Sequence, residues 1–248
     1  MSRRSTVLAS AIREKFEELY APRVTDGAEP VLCLLESDGK LPNGDKIVPA
    51  PGRDSWEAVM FHPSQDLTRW AHEAMVLVNH MSPEELTKRV NERGGYHLNG
   101  NGPWAGMSAL HWAVGAGYPC LVGALLEIQG VDVNIRDALG RTPLQLAFTG
   151  RSYNVKVVTA LIEHEADFGV EDYRGDTPLH TVILFHDDPD WLPLMIIDHL
   201  IGYDYSRKDA GGRNLLERVQ TWTTDGKRGT IVEKIKSAMR SAPAQPGH

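Results

Sequence analysis

Apolar positions along this chain keep a helical spacing in most segments and lose it in one. Val7, Ile12, Phe16, Leu19 and Tyr20 fall at spacings compatible with one face of an amphipathic helix, and Leu67, Ala71, Ala74 and Val78 repeat that spacing. Leu121, Val122, Leu125 and Leu126 follow an i, i+1, i+4, i+5 pattern, as do Val157, Val158, Leu161 and Ile162, which puts each set on a single helix face. Leu110 and Ala113, like Leu144 and Ala147, lie three apart and point the same way on shorter helices. Near the end, Leu215, Leu216 and Val219 predict one further helix, and Ile231, Val232 and Ile235 another. Residues 21–65 break the pattern with Pro22, Gly27, Pro30, Gly39, Pro42, Gly44, Pro49, Pro51, Gly52 and Pro63. Between those turns Val31–Leu35 reads as a short buried strand, and Asn43-Gly44 ahead of Lys46–Val48 as a hairpin closure; the other reading is an extended arm lying along the helices or a partner.

The helical pattern recurs with a fixed period. Gly106–Ala113 (Gly-Met-Ser-Ala-Leu-His-Trp-Ala) aligns with Gly140–Ala147 (Gly-Arg-Thr-Pro-Leu-Gln-Leu-Ala) and with Gly175–Val182 (Gly-Asp-Thr-Pro-Leu-His-Thr-Val). Gly212 opens a degenerate fourth copy, and the leading glycines are 34, 35 and 37 positions apart. Thr142 and Thr177 suit N-caps, whose hydroxyls accept from the unpaired amides of a first turn. Pro143 and Pro178 follow at N1, where a missing N–H is harmless and the fixed φ favours the helix. After the second helix of each unit come Gly130–Asn134 and Glu165–Gly169, and from Asn134 to Gly140 and from Gly169 to Gly175 the step is six residues both times, the constant length a repeated β-turn finger requires.

These blocks resemble ankyrin repeats, whose period is about 33 residues. The resemblance implies an all-α solenoid of paired antiparallel helices with β-turn fingers, preceded by a small irregular N-terminal region. It divides the chain into an arm at 1–65, an N-terminal capping repeat at 66–105, repeats at 106–139 and 140–174, a divergent repeat at 175–211, a C-terminal cap at 212–240 and a disordered tail at 241–248. The upstream cap rests on Ser82–Leu86 and Arg93–Asn99. Gln145 stands where the family has His and Val182 where it has Ala, so local differences in inter-repeat packing are expected. The divergent repeat carries the largest insertion, the acidic Phe185–Asp190.

Charge changes the picture in one respect. The net charge is −7, but residues 1–24 carry +2 and residues 213–240 carry +4, leaving −13 on the body between them. An acidic body argues against a nucleic-acid groove, which needs Lys and Arg gathered on one face to displace counterions. No apolar run reaches the length that crosses a bilayer. Cys33 and Cys120, 87 positions apart with no CxxC, fit no disulfide framework and point to a reducing, intracellular, cytoplasmic setting. Arg3, Arg4 and Arg13, with no acid before Glu14, give the N-terminus a second reading as an organellar targeting segment.

Chemistry is scarce. Ten histidines are present, but no HExxH, no HxE with PCxxC, no GxSxG and no P-loop. The glycine-rich Gly94–Gly106 stretch lacks the lysine and the preceding strand of a phosphate cradle, and reads instead as a long finger presenting Trp104 near its tip. His111 and His180 occupy the motif slot where the family's ring hydrogen-bonds backbone and orders the fingers. His186, Asp187, Asp188 and Asp190 read as a solvated acidic loop, with cation ligation the alternative. No cofactor, metal site or catalytic residue is expected.

The resemblance implies a non-enzymatic protein-interaction adaptor whose partner lies on the concave surface of fingers and first helices. By position beside each finger glycine, the candidate contacts are Trp104 and Met107, then Arg136, Leu139 and Arg141, then Tyr173, Arg174 and Asp176, and finally Lys208 and Arg213. Trp, Tyr and Arg are the types that most often dominate interfaces. A protein partner is expected, with no nucleic acid and no membrane span, the chain acting as a monomer or as a subunit of a hetero-complex. Rival readings are a structural subunit of a larger assembly and a cation-dependent or enzymatic module built on the acidic loop or the N-terminal region.

Overall fold

The computed structural model describes residues 3–20, 59–60, 67–94, 105–149, 154–185, 191–200, 203–222 and 229–241. The expectations for the turn-rich arm at 21–58, the Trp104 tip, the acidic loop at 186–190 and the tail from 242 lie outside the described residues. Within them the class is all-α. The helices, in chain order, are α1 (Arg3–Tyr20), α2 (Leu67–His80), α3 (Pro83–Arg89), α4 (Ala109–Ala116), α5 (Pro119–Leu126), α6 (Pro143–Ala147), α7 (Val155–Glu163), α8 (Pro178–Phe185), α9 (Trp191–His199), α10 (Leu215–Trp222) and α11 (Gly229–Ser241). Two two-residue strands, β1 (Arg93–Gly94) and β2 (Met107–Ser108), pair antiparallel with Arg93 opposite Ser108.

Helix starts follow from local chemistry. Thr142 Oγ1 accepts from the Gln145 amide (3.3 Å) while Gln145 Oε1 accepts from the Thr142 amide (2.9 Å), a reciprocal capping box ahead of Pro143. Ser108 and His111 make the same exchange at the start of α4. Such caps contribute about 1 kcal/mol each, which matters for helices as short as five residues that are marginal alone.

Packing then arranges the helices in two rows. The first helices α4, α6, α8 and α10 touch in succession. The second helices form the other row: α2 lies against α5, α5 against α7, and α9 against α11. All eight apolar residues singled out in α5 and α7 are buried, together with Leu144, Leu179, Leu215, Val219, Ile231 and Ile235. They form one continuous core.

The N-terminal helix joins that core. α1 lies across the outer row, against α7 and α9, burying Leu8, Ala9 and Ile12 with Phe16 packed beside them. Burying Leu8 and Ile12 contributes roughly 1.5–3 kcal/mol each, well above the exposed Arg13–Glu163 ion pair at 2.7 Å, a type worth at most about 1 kcal/mol. The buried stripe differs from the expected one. Val7, five positions from Ile12 and so about 140° round the helix, faces solvent, as does Leu19, while Leu8 turns inward.

Candidate functional site

Each finger is built by one aspartate and one glycine. Asp137 Oδ1 accepts from the amides of Leu139 (2.9 Å) and Arg141 (2.8 Å), and Asp172 Oδ1 from those of Arg174 (2.8 Å) and Asp176 (2.9 Å). Asp209 Oδ1 accepts from the Arg213 amide at 2.9 Å. Three residues on, Gly140 and Gly175 both adopt φ +78°, a left-handed conformation that costs a side chain about 1–2 kcal/mol. A Cβ on Gly140 would also lie 2.9 Å from the Tyr173 amide nitrogen, and one on Gly175 2.7 Å from Asp209 Cα. These aspartates were missed as site-forming residues, although their signal, Asp-x-x-Gly at 137, 172 and 209, stands in the sequence.

The fingers lock edge to edge. The Ala138 amide donates to Ala105 O (3.1 Å), Tyr173 to Leu139 O (3.1 Å) and Ala210 to Arg174 O (2.8 Å). That ladder makes the tips one edge and brings Leu139, Tyr173 and Arg174 side by side. Leu139 and Tyr173 are 42% and 69% exposed. The Arg136 guanidinium lies 5.2 Å from the Tyr173 ring centroid, fixed there by donating Nη2–H to Glu171 O (2.7 Å) and Nε–H to Gly140 O (3.1 Å). A guanidinium so anchored pre-positions the ring, so less freedom is lost when a ligand covers it.

Beside Tyr173 a cavity of about 200 Å³ opens between the first helices of repeats two and three, lined by Leu139, Arg141, Gln145, Thr149, Asp172, Tyr173, Arg174, Asp176 and Thr181. It gathers five of the ten candidate contacts. Gln145 and Thr181, on the helices behind the fingers, and Thr149, just past the end of α6, were not among them.

The remaining candidates are placed as follows. Met107 is fully buried in β2, and Asp176 is nearly so, although it lines the cavity beside Tyr173. Arg141 is half-buried and bound to Asp137 through Nε (2.8 Å) and Nη2 (2.7 Å). Lys208 and Arg213 are exposed on the last finger, where Lys208 bridges to Asn214. Trp104 lies outside the described residues.

Titratable groups behind the fingers are tuned by burial. Burial lowers both His111 and His180 to about 4, so both rings are neutral at physiological pH. His111 Nδ1 accepts from the Ser108 amide (3.2 Å), which leaves the proton on Nε2 for donation to Arg141 O (3.0 Å). Gln145 makes the same two links, to its N-cap amide and to Asp176 O of the next finger. The family difference at 145 therefore preserves the joint instead of altering it. Burial raises Asp176 against the opposing pull of Arg218. Burial alone would raise Asp209 too, but hydrogen bonds from Arg218 and the Arg213 amide hold it down to about 2.

A larger cavity of about 640 Å³ lies between the start of α1 and the segments after α7 and α9, with Arg4, Leu8, Phe168 and Tyr203 in its wall. None of the candidate contacts lines it. Among the described residues no three His, Cys, Asp or Glu side chains are grouped to hold a metal ion, and no helix is long and apolar enough to cross a membrane. Cys33 lies outside the described residues.

Comparison with known proteins agrees with this geometry. A family model described as ankyrin repeats in three copies matches residues 110–209. The chain is also similar to a putative ankyrin repeat protein of Rickettsia bellii (strain RML369-C), 30% identical over 106 residues, a match covering 42% of this chain and 56% of that relative. The chain thus spans little more than half the length of the curated relative it matches.

Proposed function

Because the chain is an ankyrin-repeat protein whose finger edge holds an exposed aromatic and an exposed aliphatic side chain together, we propose that it is a non-catalytic scaffold binding a protein partner along that edge. Ankyrin repeats generally mediate protein–protein interaction. The observation that carries the reading here is the pair Leu139 and Tyr173. Among the described residues the exposed large hydrophobics are Val7, Leu19, Leu139 and Tyr173; the first two sit on α1, and the other two share the finger ladder. A rigid, backed aromatic beside a side-chain-sized cavity is the kind of anchor that dominates interface energetics. The outer row over repeats two and three is covered by α1, which leaves the finger side as the open face of those repeats. Arg174, Lys208 and Arg213 complete the proposed contact strip.

The test is site-resolved crosslinking in the native host. A photo-crosslinking residue at Tyr173 should trap a protein, and the same residue at Lys156, exposed on α7, should trap none. The Leu139→Ala/Tyr173→Ala pair should abolish capture while melting stays within about 1 kcal/mol of wild type, as expected for exposed positions. Equal trapping at both positions would sink the reading.

A further inference from the structure

We infer that the segment taken up by the finger edge is acidic, a stretch of polypeptide rich in Asp and Glu around an apolar side chain; this rests on the protein-binding reading above. The argument is the direction in which the charges of the fingers point. Every tip aspartate is used internally. Asp137 is fully buried against Arg141 and two amides, Asp172 accepts from the amides of Arg174 and Asp176, and Asp209 is buried beside Arg218 at 2.7 Å. Asp176 is held by the same guanidinium at 3.0 Å.

The cations face the other way. Arg174 and Lys208 are exposed and make no ion pair among the described residues. Arg213 is exposed as well, with Nη2 only at the loose distance of 3.5 Å from Asp209. The Ala210 amide on Arg174 O and the Lys208–Asn214 bridge set these three on adjoining tips. An otherwise acidic protein, −7 overall, therefore presents a basic rim next to its exposed Tyr173 and Leu139. Its field repels acidic ligands elsewhere and draws them to this rim. A carboxylate at the cavity mouth meets the Arg174 fork, a geometry guanidinium matches in a bidentate manner, while the apolar side chain covers the Tyr173 ring. Three outward cations on an acidic body are too few to hold a nucleic-acid backbone at physiological salt.

The experiment is selection of random peptides of about 12 residues on the full chain, followed by titration of the enriched sequences. Enriched peptides should be net acidic. Their affinity should fall about tenfold or more for Arg174→Glu/Lys208→Glu, and should weaken as salt rises from about 50 to about 500 mM. Both substituted side chains are exposed and make no ion pair among the described residues, so melting of the variant should match wild type. Neutral or basic peptides that still need Tyr173 would overturn the acidic partner and leave the interface standing. Acidic peptides indifferent to charge reversal would overturn it as well, since they would bind elsewhere. Tighter, Arg174-dependent binding of a single-stranded RNA oligonucleotide would replace it with a nucleic-acid ligand. Loss of the underlying protein-binding reading has its own signature: no enriched peptide would respond to Leu139→Ala/Tyr173→Ala.

Discussion

The joints of one stack are closed by two different chemistries. Between repeats one and two, and again between two and three, a neutral side chain on the first helix reaches the next finger's carbonyl: His111 to Arg141 O and Gln145 to Asp176 O. At the joint with α10, His180 keeps its bond to the Thr177 amide (3.3 Å), but its Nε2 is buried without a partner among the described residues. There Arg218, reaching over from α10, bridges Asp209 and Asp176, with its own Nε unpaired. An amide-type tie is short, neutral and nearly insensitive to salt. The ionic clamp is stronger when intact and costlier when broken, because each partner it leaves behind is a buried charge. The last joint thus depends on one residue of α10, whereas the earlier joints depend on the repeats themselves.

The sharpest way to break the contrast is Arg218→Ala, which strands Asp209 and Asp176. It should destabilise by about 3–5 kcal/mol and, in denaturant melts followed by hydrogen exchange, release α10 and α11 before the repeats; a uniform single transition of unchanged midpoint would refute the clamp. Next in size, Gly175→Ala, with both a positive φ and a backbone contact against it, should lose about 2–4 kcal/mol. Gly140→Ala should lose somewhat less, since one of its close neighbours is the movable Arg136 side chain. Thermal melts of the two variants give the order directly. At the neutral ties, His111→Leu leaves Arg141 O and the Ser108 amide without their bonds and should lose about 2 kcal/mol. His180→Leu, which gives up only the link to Thr177, should lose about half that; equal losses would mean that His180 Nε2 is satisfied in solution.

The neutral ties also carry a pH dependence. Both histidines are held near 4 when folded against 6.5 when unfolded, so between those values the unfolded chain binds more protons and stability falls as pH drops from about 6.5 to about 4. Asp209, held near 2 against 3.8, adds a second loss below that window. Urea midpoints measured across this range should slope downward, and His111→Gln/His180→Gln should flatten the upper part of the slope. A slope unchanged in that pair would assign the titration to other groups.

Much of this was legible from spacing. Thr142, Pro143 and Leu144 announce a capped helix because a cap, a fixed φ and an i, i+3 stripe are all local. The finger glycines announce turns because only a residue without Cβ takes a positive φ freely. The candidate strip was less legible. Position beside a glycine marked Met107 and Asp176 equally with Tyr173, and nothing in their spacing tells which way a turn residue faces. Asp172 and Asp209 went unnoticed because acids in a finger read as solvated surface until their amide partners are seen. The Gln145 tie was obscured by comparing residue names, where the shared ability to accept from one amide and donate to the next carbonyl is what matters.

By itself, the order of residues determined the repeat, its period and its helix pairs, because each depends on neighbours within about one turn of helix or one finger. The tertiary structure alone decided the placement of α1, where Arg13 meets Glu163 across 150 positions, and the clamp of Arg218 on Asp176 across 42. It also decided the sorting of finger charges into buried anions and outward cations. Those outcomes hang on which distant surfaces bury one another, and burial is a property of the assembled stack that no local spacing carries.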